Sequence, residues 1–225
     1  IVTGSGSPKG IGRTIALTFA RQGATAVITD INEAGVADTV KAIQEAGGKA
    51  FGVAGNITDP ASVQQVVDTV LEKFGRIDVL VNNAGISQKV TVEDMTLEDI
   101  KRIFNVNMFG LFLITQACLK PMKAQKYGRI VNLSSVSGKR GGGIFGGAHY
   151  SASKAAVLAF SKNLSREVSA EGITINSVCP GLINTEIWKS LPADEAQKVI
   201  DGIPMGRPGE TQEVANAIVF LASKE

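Results

Sequence analysis

Ile1 to Asp30 reads IVTGSGSPKGIGRTIALTFARQGATAVITD, and this stretch decides the fold. It opens on apolar residues and passes through the glycine-rich turn Thr3-Gly-Ser-Gly-Ser-Pro-Lys-Gly-Ile-Gly12. Ile11, Ile15 and Phe19 then recur four apart, on one face of a helix that Gly23 closes. Thr25-Ala-Val-Ile-Thr29 follows as a short buried strand and ends on Asp30. Strand, glycine turn, helix, strand and carboxylate is the order of a nucleotide-binding unit. Glycines let the backbone approach a pyrophosphate, and a helix N-terminus favours its negative charge. Asp30 stands eighteen positions after Gly12. A carboxylate there accepts hydrogen bonds from the adenosine ribose hydroxyls and repels the 2′-phosphate of NADP. An ordinary turn residue or helix cap would look the same in isolation. The turn also departs from the G-x-G-x-x-G pattern, because Lys9 occupies the place where a third glycine would follow Gly4 and Gly6.

The alternation continues along the chain. Asp78-Val-Leu-Val81, Arg129-Ile-Val-Asn-Leu133 and Ile173-Thr-Ile-Asn-Ser-Val178 read as short apolar strands. Val36, Val40 and Ile43 mark a helix closed by Gly47-Gly48. Asp59-Pro60 is a helix start, an N-cap followed by proline in the first turn, ahead of an apolar face of Val63, Val66, Val67, Val70 and Phe74. Thr96 and Asp99 resemble a capping box before Ile100, Ile103 and Phe104. Strands joined by helices through short connections predict an α/β fold with a parallel sheet covered on both faces. The expected architecture is a Rossmann-type doubly wound sheet in three α/β/α layers. No linker, internal repeat or low-complexity stretch interrupts the 225 residues, so residues 1–225 read as a single domain. The glycines Gly141-Gly-Gly143 and Gly146-Gly147 predict a mobile loop just ahead of Tyr150.

Composition narrows the function. The chain is 44% apolar and 20% charged, ordinary for a globular protein. A net charge of +2 does not point to nucleic acid or a membrane surface. No apolar run reads as long enough to span a bilayer, and Ile1-Val-Thr-Gly4 lacks the basic start of a signal peptide. Cys118 and Cys179 form no CxxC or Cys/His cluster, and His149 is the single histidine. The reading is two thiols in a reducing, cytoplasmic compartment and no metal site.

Tyr150 and Lys154 are four apart, so on a helix they share one face, one turn apart. Free tyrosine has a pKa near 10, too high for an efficient base at neutral pH. A nearby ammonium stabilises the phenolate, so the pair is expected to have a lowered phenol pKa. Alone, such a pair is most simply a surface contact. With the glycine turn and Asn82-Asn83-Ala84-Gly85 in the same chain, it reads as an acid/base pair.

Four segments taken together resemble the short-chain dehydrogenases/reductases over nearly the whole length. They are the turn with Gly4, Gly10 and Gly12, then Asn82-Asn83-Ala84-Gly85, then Tyr150-Ser-Ala-Ser-Lys154, and finally Pro180-Gly181 with Thr185. The resemblance implies a cofactor site of Gly4, Gly10, Ile11, Gly12, Asp30, Asn56, Ile57, Asn82, Ala84, Gly85, Tyr150, Lys154, Pro180, Gly181, Ile183 and Thr185. Within it, Asn82, Ala84 and Gly85 would line the adenosine-ribose side, and Asn83 would brace the strand. Asn56 would stand where the family usually has aspartate, and Ile183 and Thr185 would fix the nicotinamide carboxamide. The glycine turn is two residues longer than the family's usual version, around Ser7-Pro8-Lys9.

The same resemblance implies a catalytic set of Asn107, Ser135, Tyr150 and Lys154. Ser135 would orient the substrate oxygen, with the adjacent Ser134 as competitor, and Asn107 would hold a water linking Lys154 to solvent. The expected function is an NAD(H)-dependent oxidoreductase interconverting a secondary alcohol (a polyol, sugar, diol or similar) and its ketone. The alternatives are a 3-oxoacyl-[acyl-carrier-protein] reductase using NADPH, against which Asp30 argues, and a non-catalytic NAD-binding sensor. The partners expected are a small-molecule substrate and further copies of the chain, as a homotetramer or homodimer, with no nucleic acid and no membrane. Trp188 reads either as a residue of a substrate lid over roughly residues 184–204 or as plain packing. His149 reads first as a locally bonded side chain, and Lys139 and Arg140 as a solvated basic turn. By resemblance, part of the first strand, a last strand and a glycine-rich tail are expected beyond the two ends.

Overall fold

The computed structural model describes residues 1–186 and 193–224. Six parallel strands form one sheet in the order β3-β2-β1-β4-β5-β6: β1 (Val2–Thr3), β2 (Thr25–Thr29), β3 (Lys49–Gly52), β4 (Val79–Asn82), β5 (Gly128–Leu133) and β6 (Ile173–Val178). The strand order reverses between β1 and β4, and in such sheets ligands bind beside the carboxyl ends of the strands at that point.

Alternate side chains along each strand serve opposite faces. Val2, Ile28, Val81 and Val131 pack against α1 (Ile11–Arg21), α2 (Glu33–Glu45) and α9 (Thr211–Leu221) through Ile15, Phe19, Ile43 and Ile218. Their neighbours Ile1, Val27, Leu80 and Ile130 pack on the other side, against α3 (Pro60–Phe74), α5 (Leu111–Ala124) and α7 (Ala148–Val168). The result is three layers in a single α/β domain.

Local chemistry sets the helix starts. Asp59 caps α3 by accepting from the amides of Ala61 and Ser62, with Pro60 next. Thr96 and Asp99 form a reciprocal capping box on α4 (Leu97–Phe104). From α4 the chain runs through a π-helical turn, Asn105–Gly110, directly into α5. This continuous helix is long and apolar enough to cross a membrane, the one such helix among the described residues. The linear reading missed it, because polar Asn105 and Asn107 interrupt the apolar run. Its inner side supplies Ile103, Leu111, Ile114, Cys118 and Met122 to the buried interior. The short α6 (Ser137–Arg140) follows β5, and α8 (Ala193–Asp201) lies within the stretch expected to form a lid. Trp188 falls outside the described residues.

Candidate active site

The loops after β1, β2, β4, β5 and β6 bring the expected residues to one edge of the sheet. On the nucleotide side, the turn from Gly4 to Gly12 is enclosed from two directions. Gly4 has φ +64°, and a Cβ there would lie 2.6 Å from the Cα of Ala84. A Cβ on Gly12 would lie 2.4 Å from the Gly4 carbonyl oxygen. Asn83 braces this contact, donating from Nδ2 to the carbonyls of Thr3 at 2.9 Å and Gly4 at 2.8 Å. From the other side, Thr39 of α2 donates to the Ser5 carbonyl at 2.9 Å.

Helix α1 starts after Gly10 with no side-chain cap and no acidic residue in its first turn. Its positive end is left for an anion. Asp30 stands beside it: Oδ2 accepts from the Gly6 amide at 2.9 Å, and Oδ1 from the Asn32 amide at 3.0 Å. Each oxygen keeps a further lone pair that a ribose hydroxyl can use. A dinucleotide therefore fits the residues present. Glycines stand where backbone must be approached, next to an uncapped helix end and a fixed carboxylate.

On the catalytic side, α7 carries both Tyr150 and Lys154. Lys154 is 5% exposed, and its Nζ donates to the Leu133 carbonyl at 2.8 Å. Gly85 leaves room for it, since a Cβ there would lie 3.2 Å from both Lys154 Nζ and Asn107 Oδ1. Burial pushes the Lys154 ammonium down to about 8, opposed only in part by Cys179. Its Nζ lies 5.9 Å from the centre of the Tyr150 ring. Burial also raises the Tyr150 phenol above its usual value, opposed by a hydrogen bond with Ser135. The lowered phenol pKa expected from the Tyr150/Lys154 spacing is thus reversed in the protein itself. Desolvation outweighs a neighbouring charge that burial also discourages.

Ser134 and Ser135 have different partners. The Ser134 hydroxyl donates to the Lys154 carbonyl at 2.7 Å, inside the protein, which leaves Ser135 facing Tyr150. Asn107 lies in the π-helical turn and is buried. Its Oδ1 accepts from the Ile86 amide at 2.8 Å, and its Nδ2 donates to the Ile86 carbonyl and the Ser153 hydroxyl. Its side chain therefore braces the loop after β4. Gly146 lies flat against Tyr150, because a Cβ there would be 2.3 Å from the ring.

The remaining expected residues divide. Asn56 Oδ1 accepts from the amide and hydroxyl of Thr58, a local turn into α3. Ile57 packs against Gly110. Asn82 is buried, donating to Thr115 at 2.9 Å and Asn132 at 2.8 Å, so its side chain serves the interior rather than a ribose. Ala84 and Gly85 stand beside Gly4 and Lys154 respectively. The Pro180 carbonyl accepts from the Val136 amide, joining the loops after β5 and β6, while Gly181 is exposed. Ile183 bridges to Gly209, and Thr185 precedes the undescribed residues. Lys139 and Arg140 are exposed on α6.

Linear pattern missed two links. Lys9, in the lengthened turn, pairs with Glu186 at 2.8 Å. Gln88 meets His149 at 3.1 Å and Asp99 at 2.6 Å. The capping box marks Asp99, but no local signal shows that its second oxygen takes Gln88. Cys118 and Cys179 are free thiols, and no His/Cys/Asp/Glu cluster suited to a metal occurs among the described residues.

Comparison with known proteins agrees with this geometry. A family model described as Enoyl-(Acyl carrier protein) reductase matches residues 4–225. The 3-oxoacyl-[acyl-carrier-protein] reductase FabG of Escherichia coli (strain K12) is 40% identical, over 98% of this chain and 88% of its own length. The enzyme of the same name from Thermotoga maritima is 40% identical over 100% and 90%. An uncharacterized short-chain type dehydrogenase/reductase, y4mP, from Sinorhizobium fredii is 42% identical over 99% and 89%.

Proposed function

Because the chain belongs to the short-chain dehydrogenase/reductase family, acting on CH–OH groups with a nicotinamide cofactor, we propose that it is a cytoplasmic ketoreductase that reduces a 3-oxoacyl thioester and takes NADH in preference to NADPH. The arrangement of Ser135, Tyr150 and Lys154 carries the chemistry. Identity of about 40% to several 3-oxoacyl-[acyl-carrier-protein] reductases supports the substrate class over the polyols, sugars and diols expected from the sequence. Asp30, held over the glycine turn, supports NADH.

The nicotinamide, when bound, supplies or accepts a hydride at the carbinol carbon. The chain's own residues handle charge and protons. Tyr150 is kept protonated by burial, which suits it to donate a proton to a ketone oxygen at neutral pH. Ser135, beside Tyr150, steadies the negative charge that grows on that oxygen. Lys154, between Tyr150 and Gly85, would hold the nicotinamide ribose and offset the charge left on the phenol.

The direct test is turnover of acetoacetyl-coenzyme A with NADH and with NADPH, beside oxidation of polyols and diols with NAD. The expected result is acetoacetyl reduction, faster with NADH. Asp30→Ala should weaken NADH and shift the kcat/KM ratio toward NADPH by on the order of tenfold, because a repelling charge is removed. A parent protein that prefers NADPH sinks the cofactor assignment, and activity confined to polyols or diols sinks the substrate. Nucleotide binding without turnover of any alcohol or ketone would instead support a sensor.

We propose further that the protein works as a homodimer or homotetramer. Phe109 and Phe112 are 56% and 44% exposed, and Phe112 meets Phe160 of α7 in a tilted pair with ring centres 5.3 Å apart, an apolar surface on the helices that carry Asn107 and Tyr150. Light scattering should give at least a dimer mass, reduced by Phe112→Glu. A stable monomer of the parent protein contradicts the assembly.

A further inference from the structure

A chain of polar groups outside the catalytic set ends one residue from Tyr150. It starts at the α4 capping box, where Asp99 Oδ2 accepts from the Thr96 amide at 3.0 Å and the Thr96 hydroxyl at 2.6 Å. Asp99 Oδ1 accepts from Gln88 Nε2 at 2.6 Å. Gln88 lies in the loop after β4, and its backbone carbonyl accepts from the Gly147 amide at 2.8 Å. Its side-chain Oε1 lies 3.1 Å from His149 Nε2.

Charge sets the direction of this chain. An ionised carboxylate only accepts, and the hydrogen bonds from Thr96 and Gln88 hold Asp99 down to about 2. Gln88 must therefore turn its NH2 to Asp99 and its carbonyl to His149. His149 Nε2 then donates, so the neutral ring carries its proton on Nε2 and a lone pair on Nδ1. His149 is 3% exposed, and Nδ1 is buried without a partner.

We infer that His149 is a positioning residue for Tyr150, fastening the first turn of α7 to the loop after β4 as a single tautomer held by Gln88 and Asp99. It rests on the reading of Tyr150 as the proton donor. The same chain of bonds ties down both loops beside that phenol. Gly147 pairs with Gln88, and Gly146 touches the Tyr150 ring so closely that a shift of this loop moves the phenol.

Protonation of His149 would place a second N–H at Nδ1, where it has no partner. Burial disfavours that charge, Asp99 favours it and Arg102 disfavours it, both of the latter from α4, and the balance holds His149 below its usual value. The neutral ring thus prevails at neutral pH; as pH falls, protonation keeps the Nε2–H bond to Gln88 but buries an Nδ1–H without a partner, which disturbs the first turn of α7. Ketone reduction needs Tyr150 protonated, which acid does not impair. An acid-side loss of kcat that disappears when His149 is replaced by a group that does not titrate therefore reports on His149.

The chain has one histidine, so ¹⁵N-histidine labelling yields a single imidazole. The nitrogen shifts at pH 7 should be those of a neutral Nε2–H ring, and Gln88→Met should move them toward a tautomer mixture. In acetoacetyl-coenzyme A reduction with NADH, His149→Phe should lower kcat by about tenfold, the effect of one lost positioning bond, with cofactor Kd changed by less than about twofold. His149→Gln can still donate to Gln88 and does not titrate, so it should restore most of kcat and remove the acid-side loss. If His149→Phe does not fold, Gln88→Met carries the kinetic test with the same expected loss. An imidazolium or an Nδ1–H ring at pH 7 overturns the inference, as does a His149→Phe enzyme with the parent kcat and pH profile. The nitrogen shifts need no substrate, so a wrong substrate assignment appears separately, as a parent protein with the expected ring and no turnover.

Discussion

Tyr150→Phe is expected to bind the nicotinamide cofactor as the parent protein does and to lose about 10²–10⁴-fold in turnover, the usual contribution of general acid–base catalysis. The substitution removes one oxygen and keeps the ring that Gly146 packs against. The lost oxygen also lies beside Ser135, whose Oγ keeps its bond from the Ser137 amide, so one of the two hydroxyls offered to the substrate oxygen is removed. kcat and kcat/KM should fall in parallel, because the interaction is made in the transition state. The pH dependence adds a second signature. Since burial raises the phenol, ketone reduction by the parent should hold through neutral pH on its alkaline side and fall there as the phenol ionises. Alcohol oxidation should rise over the same range, and both limbs should vanish in the variant. Near-normal turnover by Tyr150→Phe with cofactor bound would show that another group moves the proton, and His149 would be the next to examine.

Lys154→Met is expected to impair activity and raise stability at once. Turnover should fall by at least about 10²-fold, since the cation that offsets charge on the phenol is gone, and cofactor affinity should weaken with it. Stability moves the other way because the ammonium is buried. Its pKa in the fold is about 8 against 10.5 for the free group. Below pH 8 both folded and unfolded chains carry the charge, and the fold bears the full cost of burying it. Between these values only the unfolded chain keeps the proton, so stability rises with pH, and above 10.5 the cost has gone. Methionine removes that cost, up to about 3 kcal/mol at pH 7, and gives up the hydrogen bond to Leu133, about 1 kcal/mol. The net expectation is a Tm a few degrees higher without cofactor, with the gap to the parent closing as pH rises past 8. A lower Tm at pH 7 would mean that the ammonium's contacts outweigh its desolvation.

Local pattern carried most of the fold. β2 and β6 run over the residues whose apolar character marks them, Asp59 and Pro60 start α3, and Thr96 and Asp99 close their box. Tyr150 and Lys154 meet because four residues is about one helical turn. β4 shows the limit. Its reading stops at Val81, since asparagine is a poor strand end by its own chemistry, yet the strand includes Asn82. Thr115 and Asn132, 33 and 50 positions away, supply the hydrogen bonds that let Asn82 be buried.

The amino-acid sequence by itself determined the order of elements, the glycine turn with Asp30 and the shared face of Tyr150 and Lys154, because periodicity and caps act within a few residues. Tertiary structure alone decided that Ser134 turns inward to the Lys154 carbonyl, that the phenol is raised rather than lowered, and that His149 ties to Gln88 and Asp99. Those outcomes depend on how far water is excluded and on which partners other elements deliver, and neither quantity exists until the chain has packed.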